Sequence, residues 1–292
     1  MASAALTAKL KDADYLRLHL TAAAVLRGLD GLNWYDAVFL RRFEAARRYL
    51  ALVRPDAAER FERAFDVFTP PADFAPILLN DLFDAATRSA IRQEIEILQP
   101  ADLEGREMAS FGRHILHDLP AFTALQDRLT RMVGDHVGMA LEPGYNFLSL
   151  YGESGRCAPH LDQPVSMFTL DYCVDQSGAW PIHFSQPVPW PRPGDTRWAD
   201  PAAIVREPSL RFTPCTLEPG DAVIFCGSSQ WHYRDPMPRG DENRTFCHLL
   251  FFHYRPAGSG PLTDPACWAD HFDLPELAAL IDLFGAAEPD PQ

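Results

Sequence analysis

The sequence predicts a mainly β domain, a small barrel or sandwich, with flanking helices and a helical N-terminal extension. Three observations carry that expectation. From Tyr145 to His253 the chain runs in short β-type stretches separated by Pro and Gly, the pattern of an all-β barrel or sandwich. Residues 1–65 are rich in Ala, Leu and Arg and poor in Gly, with Phe39, Phe43, Ala46, Leu50 and Val53 at helical spacing. Across 292 residues, 47% hydrophobic against 23% charged is enough to bury a sizeable core.

The spacing divides the chain into a helical extension, 1–65, and a β domain with supporting helices, 66–292. Pro70-Pro71 mark the break. Pro76 to Asn80 reads as a short buried strand, and Thr87 to Leu98 as an amphipathic helix with Ile91, Ile95 and Leu98 inward. Asp118-Leu-Pro120 offers an N-cap with Pro in the first turn, and Leu125, Leu129, Met132 and Val133 continue that helix to about Val137. The period then changes. Strands are expected over Tyr145–Tyr151, Val165–Val174, Trp180–Ser185, Arg211–Leu217, Ala222–Cys226 and Arg244–His253.

The stretch from Gln186 to Arg206 holds five prolines and is read as an ordered excursion over one mouth of the barrel, where it shapes a pocket together with the loop from Arg234 to Asn243. Glu218-Pro-Gly-Asp221 suits a type II turn feeding a strand that ends near His232.

The net charge of −14 argues against nucleic acid, because phosphate tracking runs on clustered Lys and Arg. Residues 1–65 are the exception, with eleven Lys and Arg against eight Asp and Glu; they are a possible subunit contact, or helices packed on the outside of the domain. The six cysteines lack any CxxC pair, which disfavours a zinc ribbon and a redox dithiol, and they are read as reduced thiols of a cytoplasmic protein. No apolar run is long enough for a membrane span, and charged residues occupy the place a signal peptide would need.

Chemistry concentrates at His160-Leu-Asp162. In extended chain an imidazole and a carboxylate two residues apart point to one side and can grip one metal ion. The triplet by itself is weak, since a chain with ten histidines produces such pairs by chance. The second example, His271-Phe-Asp273, reads as a helix start, with Asp273 and Glu276 forming a capping box for a helix over Leu274–Phe284. His160 and Asp162 differ in lying between strands, ahead of His232 and, twelve residues on, Arg244. Two neutral imidazoles and one carboxylate on one face of a metal leave three coordination positions open, the arrangement of non-haem Fe(II) oxygenases. A chelating 2-oxo acid would fill two of them, and its distal carboxylate calls for a cationic fork such as Arg244.

The ordered set His160-x-Asp162, His232 and Arg244, preceded by a helix and by Tyr145-Asn-Phe-Leu-Ser-Leu-Tyr151, resembles the Fe(II)/2-oxoglutarate-dependent oxygenases over about residues 75–255. The resemblance implies a double-stranded β-helix (jelly-roll) core. It implies His160, Asp162 and His232 as iron ligands, and Arg244 as the clamp on the 2-oxoglutarate carboxylate. Arg239, in the loop Pro238–Asp241, competes for that role, and the hydroxyl that often follows two residues after the arginine is replaced by Phe246. Asn146, Ser149 and Tyr151 are candidates for the missing donor; alternation places Asn146 and Tyr151 on opposite faces, so both face inward only across a bulge.

The expected activity is hydroxylation of an amino acid, a peptide-borne side chain or a small natural product. Retention of Asp162 argues against halogenation, since related halogenases lack that carboxylate. Two other readings stay open: a cupin-like metalloenzyme that does not use 2-oxoglutarate, and a catalytically silent barrel acting as an interaction module. Of the remaining histidines, His183 and His253 are expected as core or rim groups, and His248 shares a face with Arg244 in a regular strand. Trp180, Trp190, Trp198 and Trp231 are expected in the core more than on a substrate wall.

Overall fold

The computed structural model describes residues 8–29, 31–238 and 245–287. Among these, ten strands form two antiparallel sheets. They are β1 (Ile77–Leu79), β2 (Arg113–His117), β3 (Leu141–Tyr151), β4 (Cys157–His160), β5 (Phe168–Gln176), β6 (Ile182–Phe184), β7 (Thr213–Cys215), β8 (Ala222–Phe225), β9 (His232–Arg234) and β10 (Cys247–Pro256). The larger sheet has the order β1-β8-β5-β10-β3-β2, and the smaller β4-β9-β6-β7. The mainly β expectation with flanking helices therefore holds, and no helix of the described residues is long and apolar enough to cross a membrane.

The centre of the larger sheet is β10, paired with β3 on one side and β5 on the other, so that Phe251 lies between Phe147 and Asp171. Its alternation sends Leu249, Phe251 and His253 toward the smaller sheet. In β3 the same period sends Tyr145, Phe147 and Tyr151 to that side, and Asn146, Leu148 and Leu150 to the helical side. A register shift between Phe252 and Tyr254 breaks the β10–β3 ladder beside His253. The His253 carbonyl is taken instead by Gln126 Nε2 at 2.7 Å, the same amide nitrogen that donates to the Tyr145 carbonyl at 3.1 Å.

Among the described residues, six helices of ten residues or more flank the sheets: α1 (Ala13–Arg27), α2 (Val38–Val53), α3 (Pro55–Ala64), α4 (Ala85–Glu96), α5 (Pro120–Val137) and α6 (Ala278–Ala287). The ends follow from the sequence. Asp12 caps α1, Asp84 caps α4 through the Thr87 N–H, and Pro occupies the first turn of α3 and α5. Gly138, at φ 70°, closes α5 in the left-handed conformation that a side chain disfavours. The three N-terminal helices join the main core. Phe39, Phe61 and Phe65 pack edge-on against Trp268, while Phe43 and Phe68 meet Trp190. Truncating any one of the fully packed rings Phe39, Phe61, Phe65, Phe68 and Trp268 to Ala would cost about 3–5 kcal/mol.

Several expectations are corrected. Asp118 does not cap α5: it sits at φ 49° and its carboxylate accepts from the Asn146 N–H, leaving Leu119 at the cap position. Asp273 and Glu276 form no capping box. The residue before a proline avoids the helical region, so Leu274 sits at φ −128° and ψ 77° ahead of Pro275; a 3-10 turn over Pro275–Leu277 leads into α6. His232 opens a strand rather than ending one, because a loop of turns separates it from β8. The strand β4, which carries His160, was not expected at all. The Pro-rich stretch after Ser185 packs Val188 and Trp190 on the helical extension and Trp198 on Trp231, and none of its residues lines the cavity between the sheets. The type II turn is present: Gly220 has φ 110° and the Asp221 N–H donates to the Glu218 carbonyl at 2.9 Å.

Candidate metal centre

His160 ends β4 and His232 begins β9, and the antiparallel pairing sets them directly opposite each other, with ring centroids 4.2 Å apart. Asp162 follows on the turn out of β4, its N–H donating to the Gly227 carbonyl at 2.9 Å. The three side chains converge. Their ligand atoms all lie within 4.8 Å of one another, with Asp162 Oδ1 at 3.4 Å from His160 Nε2 and 3.5 Å from His232 Nε2.

Both rings are oriented from behind. His160 Nδ1 bonds the Ala158 carbonyl at 2.9 Å and His232 Nδ1 bonds the Gln230 carbonyl at 3.0 Å. A carbonyl can only accept, so both Nδ1 atoms carry protons and both Nε2 atoms face Asp162, as lone pairs when the rings are neutral and as N–H donors when they are protonated. The other Asp162 oxygen, Oδ2, is held 3.4 Å from the Thr169 hydroxyl. It also presses against Gly227, where a Cβ would lie 2.0 Å from Oδ2. Burial alone would raise the Asp162 carboxyl, yet the His232 charge and hydrogen bonds from both imidazoles hold it well below the usual range. Burial would lower His160, but Cys157 and Asp162 carry it well above 6.5. An acceptor-rich centre that draws a proton when no cation is present is suited to a divalent ion.

This is a candidate metal centre. No protein-family model matches the chain, and no curated protein matches it. Among solved structures it is similar to HygX from Streptomyces hygroscopicus with nickel and 2-oxoglutarate bound, at 14% identity over 68% of this chain and 86% of that chain, TM-score 0.46. It is similar to a Pseudomonas putida prolyl-4-hydroxylase at 16% identity over 64% of this chain and 95% of that chain, TM-score 0.45. A third is the epimerase SnoN in complex with Fe3+, alpha ketoglutarate and nogalamycin RO, at 18% identity over 72% and 90% of the two chains, TM-score 0.47. Likeness this distant carries nothing about chemistry, which rests on the residues of this chain.

The centre opens on a cavity of about 200 Å3 between the two sheets. The strand registers arrange its walls in layers. His160, His232, Thr169 and His253 stand at the level of the centre, and one pleat deeper come Arg234, Asp171, Phe251 and Phe147. Arg234 is 5% exposed; its Nη2 donates to Asp171 Oδ2 at 2.8 Å and its Nη1 to the Trp180 carbonyl. Burial outweighs this guanidinium and holds the Asp171 carboxyl above the usual range. From β2, Arg113 donates to Glu107 at 2.5 Å and to the Tyr151 hydroxyl at 2.8 Å. Tyr151 thus accepts from Arg113 and keeps its own proton, and burial pushes its ionisation up.

Of the three donor candidates on β3, Tyr151 lines the cavity with the three ligand candidates. Asn146 does not: its amide lies on the other face of β3, bonded to Asp118, Thr123 and Gln126 against α5. Ser149 shares the inner face but is fully buried, and its hydroxyl has no partner among the described residues. Arg244 and Arg239 lie outside the described residues. His248 and the four tryptophans do not line the cavity, and His183 stacks on Tyr233 away from it.

Sequence reasoning missed Arg113, Arg234 and the pair Tyr35-Asp36, and took His253 no further than a core or rim group; all of them line the cavity. Arg234 had a signal, since it lies two residues past His232 in extended chain and so shares its face. A larger groove of about 370 Å3 lies between α2 and residues 187–192, but it shares no lining residue with this cavity and holds no imidazole.

Proposed function

We propose that the protein is a ferrous-iron- and 2-oxoglutarate-dependent dioxygenase that hydroxylates a small molecule, an amino acid or a peptide-borne side chain. The observation that carries this reading is the pair of tautomer-fixed imidazoles aimed with one carboxylate at a single point beside a buried cavity. Two histidines and a carboxylate on one face leave positions free for a chelating acid and dioxygen, whereas a structural zinc site would close its shell. The strand order adds support. Strands β3, β5, β8 and β10 lie in one sheet and β4, β6, β7 and β9 in the other, in the alternation of a double-stranded β-helix.

When bound, iron supplies the dioxygen chemistry, and 2-oxoglutarate supplies two electrons and leaves as succinate and CO2. His160, Asp162 and His232 would hold the metal. Arg234 points from the next layer down and would take the distal carboxylate, joined by the free phenolic proton of Tyr151. Its partnership with Asp171 keeps the guanidinium charged and fixed before the acid arrives. Phe147, Phe225, Phe251 and Ile182 make the rest of the wall apolar, which excludes water and strengthens each charged contact. The cysteines are free thiols, which fits the reducing interior of a cell.

The test needs no substrate. Adding Fe(II) and 2-oxoglutarate without oxygen should produce the weak visible charge-transfer band of the chelate, and His160→Ala should abolish it together with iron binding by calorimetry. A band of full intensity in His160→Ala would remove the ligand assignment. Iron bound without a band would favour a metalloenzyme that uses no 2-oxo acid.

A further inference from the structure

The polar lining of the cavity divides by hydrogen-bond character. Its deep side offers donors, Arg234, Arg113 and the Tyr151 phenol. The side facing the N-terminal extension offers acceptors. Asp36 enters there on the segment between α1 and α2, held by Trp34, whose Nε1 donates to the Leu161 carbonyl at 3.1 Å and whose ring meets Trp231 edge-on at 4.9 Å. Its Oδ1 accepts from Gln163 Nε2 at 3.1 Å, and no Lys or Arg among the described residues forms an ion pair with it. The other charges of the wall are matched: Arg113 with Glu107, Arg106 with Glu104 and Arg234 with Asp171.

The second acceptor is His253, which is 4% exposed. Its Nδ1 meets Thr169 Oγ1 at 2.9 Å, and that hydroxyl donates to Asp162 Oδ2. The hydroxyl has one proton and has given it away, so Nδ1 carries the ring proton and Nε2 is a bare lone pair. His253 lines the cavity, and this nitrogen is buried without a partner among the described residues. Burial holds the ring down to about 4, so it is a neutral acceptor at neutral pH. Tyr145 lies against His253 with ring centroids 4.4 Å apart and planes tilted by 37°, and Tyr35 meets Phe111 edge-on at 4.8 Å, giving this side aromatic faces.

We propose that this side of the cavity is a subsite for a protonated amine of the substrate, with Asp36 as its counter-charge, His253 Nε2 as a further acceptor and the aromatic faces around its carbon stem. The proposal rests on the co-substrate reading above for its charge balance. A ferrous ion with Asp162 leaves one positive charge, 2-oxoglutarate brings two negative ones, the internal ion pairs cancel, and Asp36 adds one more. In a site of low dielectric that excess favours a cation and repels a second carboxylate. Aromatic faces favour the same choice.

The experiment uses the full chain with Mn(II) in place of iron, with and without 2-oxoglutarate. It reads butylammonium, 1-butanol and butyrate by paramagnetic broadening of their proton signals. Butylammonium should bind at least about tenfold tighter than butanol, and butyrate weakest. Asp36→Asn should bring the ammonium down to the level of the alcohol without changing 2-oxoglutarate affinity in the same samples. His253→Phe, which keeps the ring contact and loses the acceptor, should cost about threefold. Equal binding of ammonium and alcohol, or an unchanged ratio in Asp36→Asn, overturns the proposal. Should Asp36→Asn not fold, the ranking of the three probes on the unaltered protein decides by itself. If 2-oxoglutarate does not bind the Mn(II) protein, the co-substrate reading falls, and the ammonium preference measured without it still judges Asp36.

Discussion

His160 and His232 each give the Nδ1 proton to the carbonyl two residues earlier, so the backbone has chosen which nitrogen faces the cavity before any metal arrives. The carboxylate between them is steered by a glycine. A methyl at Gly227 would sit 2.0 Å from Asp162 Oδ2 and 2.8 Å from its Cγ, and must swing the carboxylate off the shared point. Gly227→Ala should therefore fold and lose about 10–100-fold in metal affinity by calorimetry, the scale of damage to groups that orient ligands. Deeper in the cavity, Arg234→Gln should weaken 2-oxoglutarate at least about tenfold in an anaerobic titration of the charge-transfer band, while Arg244→Gln changes it little. The opposite ranking would return the clamp to Arg244. The ligand trio was legible because sequence spacing expresses it directly. Arg234 was open to the same two-residue argument, but the strand was expected to end at His232 rather than begin there. His253 and Asp36 had no local signal, since their roles depend on which other elements they face.

At the scale of elements, the joint between α5 and the large sheet depends on one amide. Gln126 is 1% exposed, and its Nε2 satisfies the Tyr145 and His253 carbonyls where the ladder is broken, while its Oε1 accepts from Asn146. Gln126→Leu would strand those groups in the core. It should cost on the order of 2–4 kcal/mol in urea unfolding, with a loosened His253 seen in its ring NMR signals. Helix positions were legible from apolar spacing and proline, as α5 shows, because those signals are local. The break in β10 was not, because it arises only when two partners of different register share a strand. The Pro-rich stretch was misjudged for a related reason. Its prolines do exclude a central strand, but where it packs is set by the ring cluster on α2 and α3.

For the molecule as a whole, the cavity wall carries a stability cost. Asp36 is held at about 6, above its usual 3.8, first by burial and then by Asp162. The folded chain thus keeps that proton to a higher pH than the unfolded chain does. Stability is lost as pH rises from about 4 to about 6, and the penalty persists above. In metal-free protein, Asp36→Asn should gain on the order of 1–3 kcal/mol in urea unfolding at about pH 7.5 and nothing near pH 4. A gain of equal size at both would show that the carboxyl is not strained.

The Trp34 indole finds its acceptor 127 positions further along the chain, and Gln163 answers Asp36 across the same span. Contacts of such long reach form late, after nearby turns and hairpins have closed their smaller loops. The vessel is consequently completed by a segment that precedes both sheets in the chain. Until that flap is seated, the histidine pair faces open water, and a refolding experiment should see ion uptake precede the shielding of Trp34.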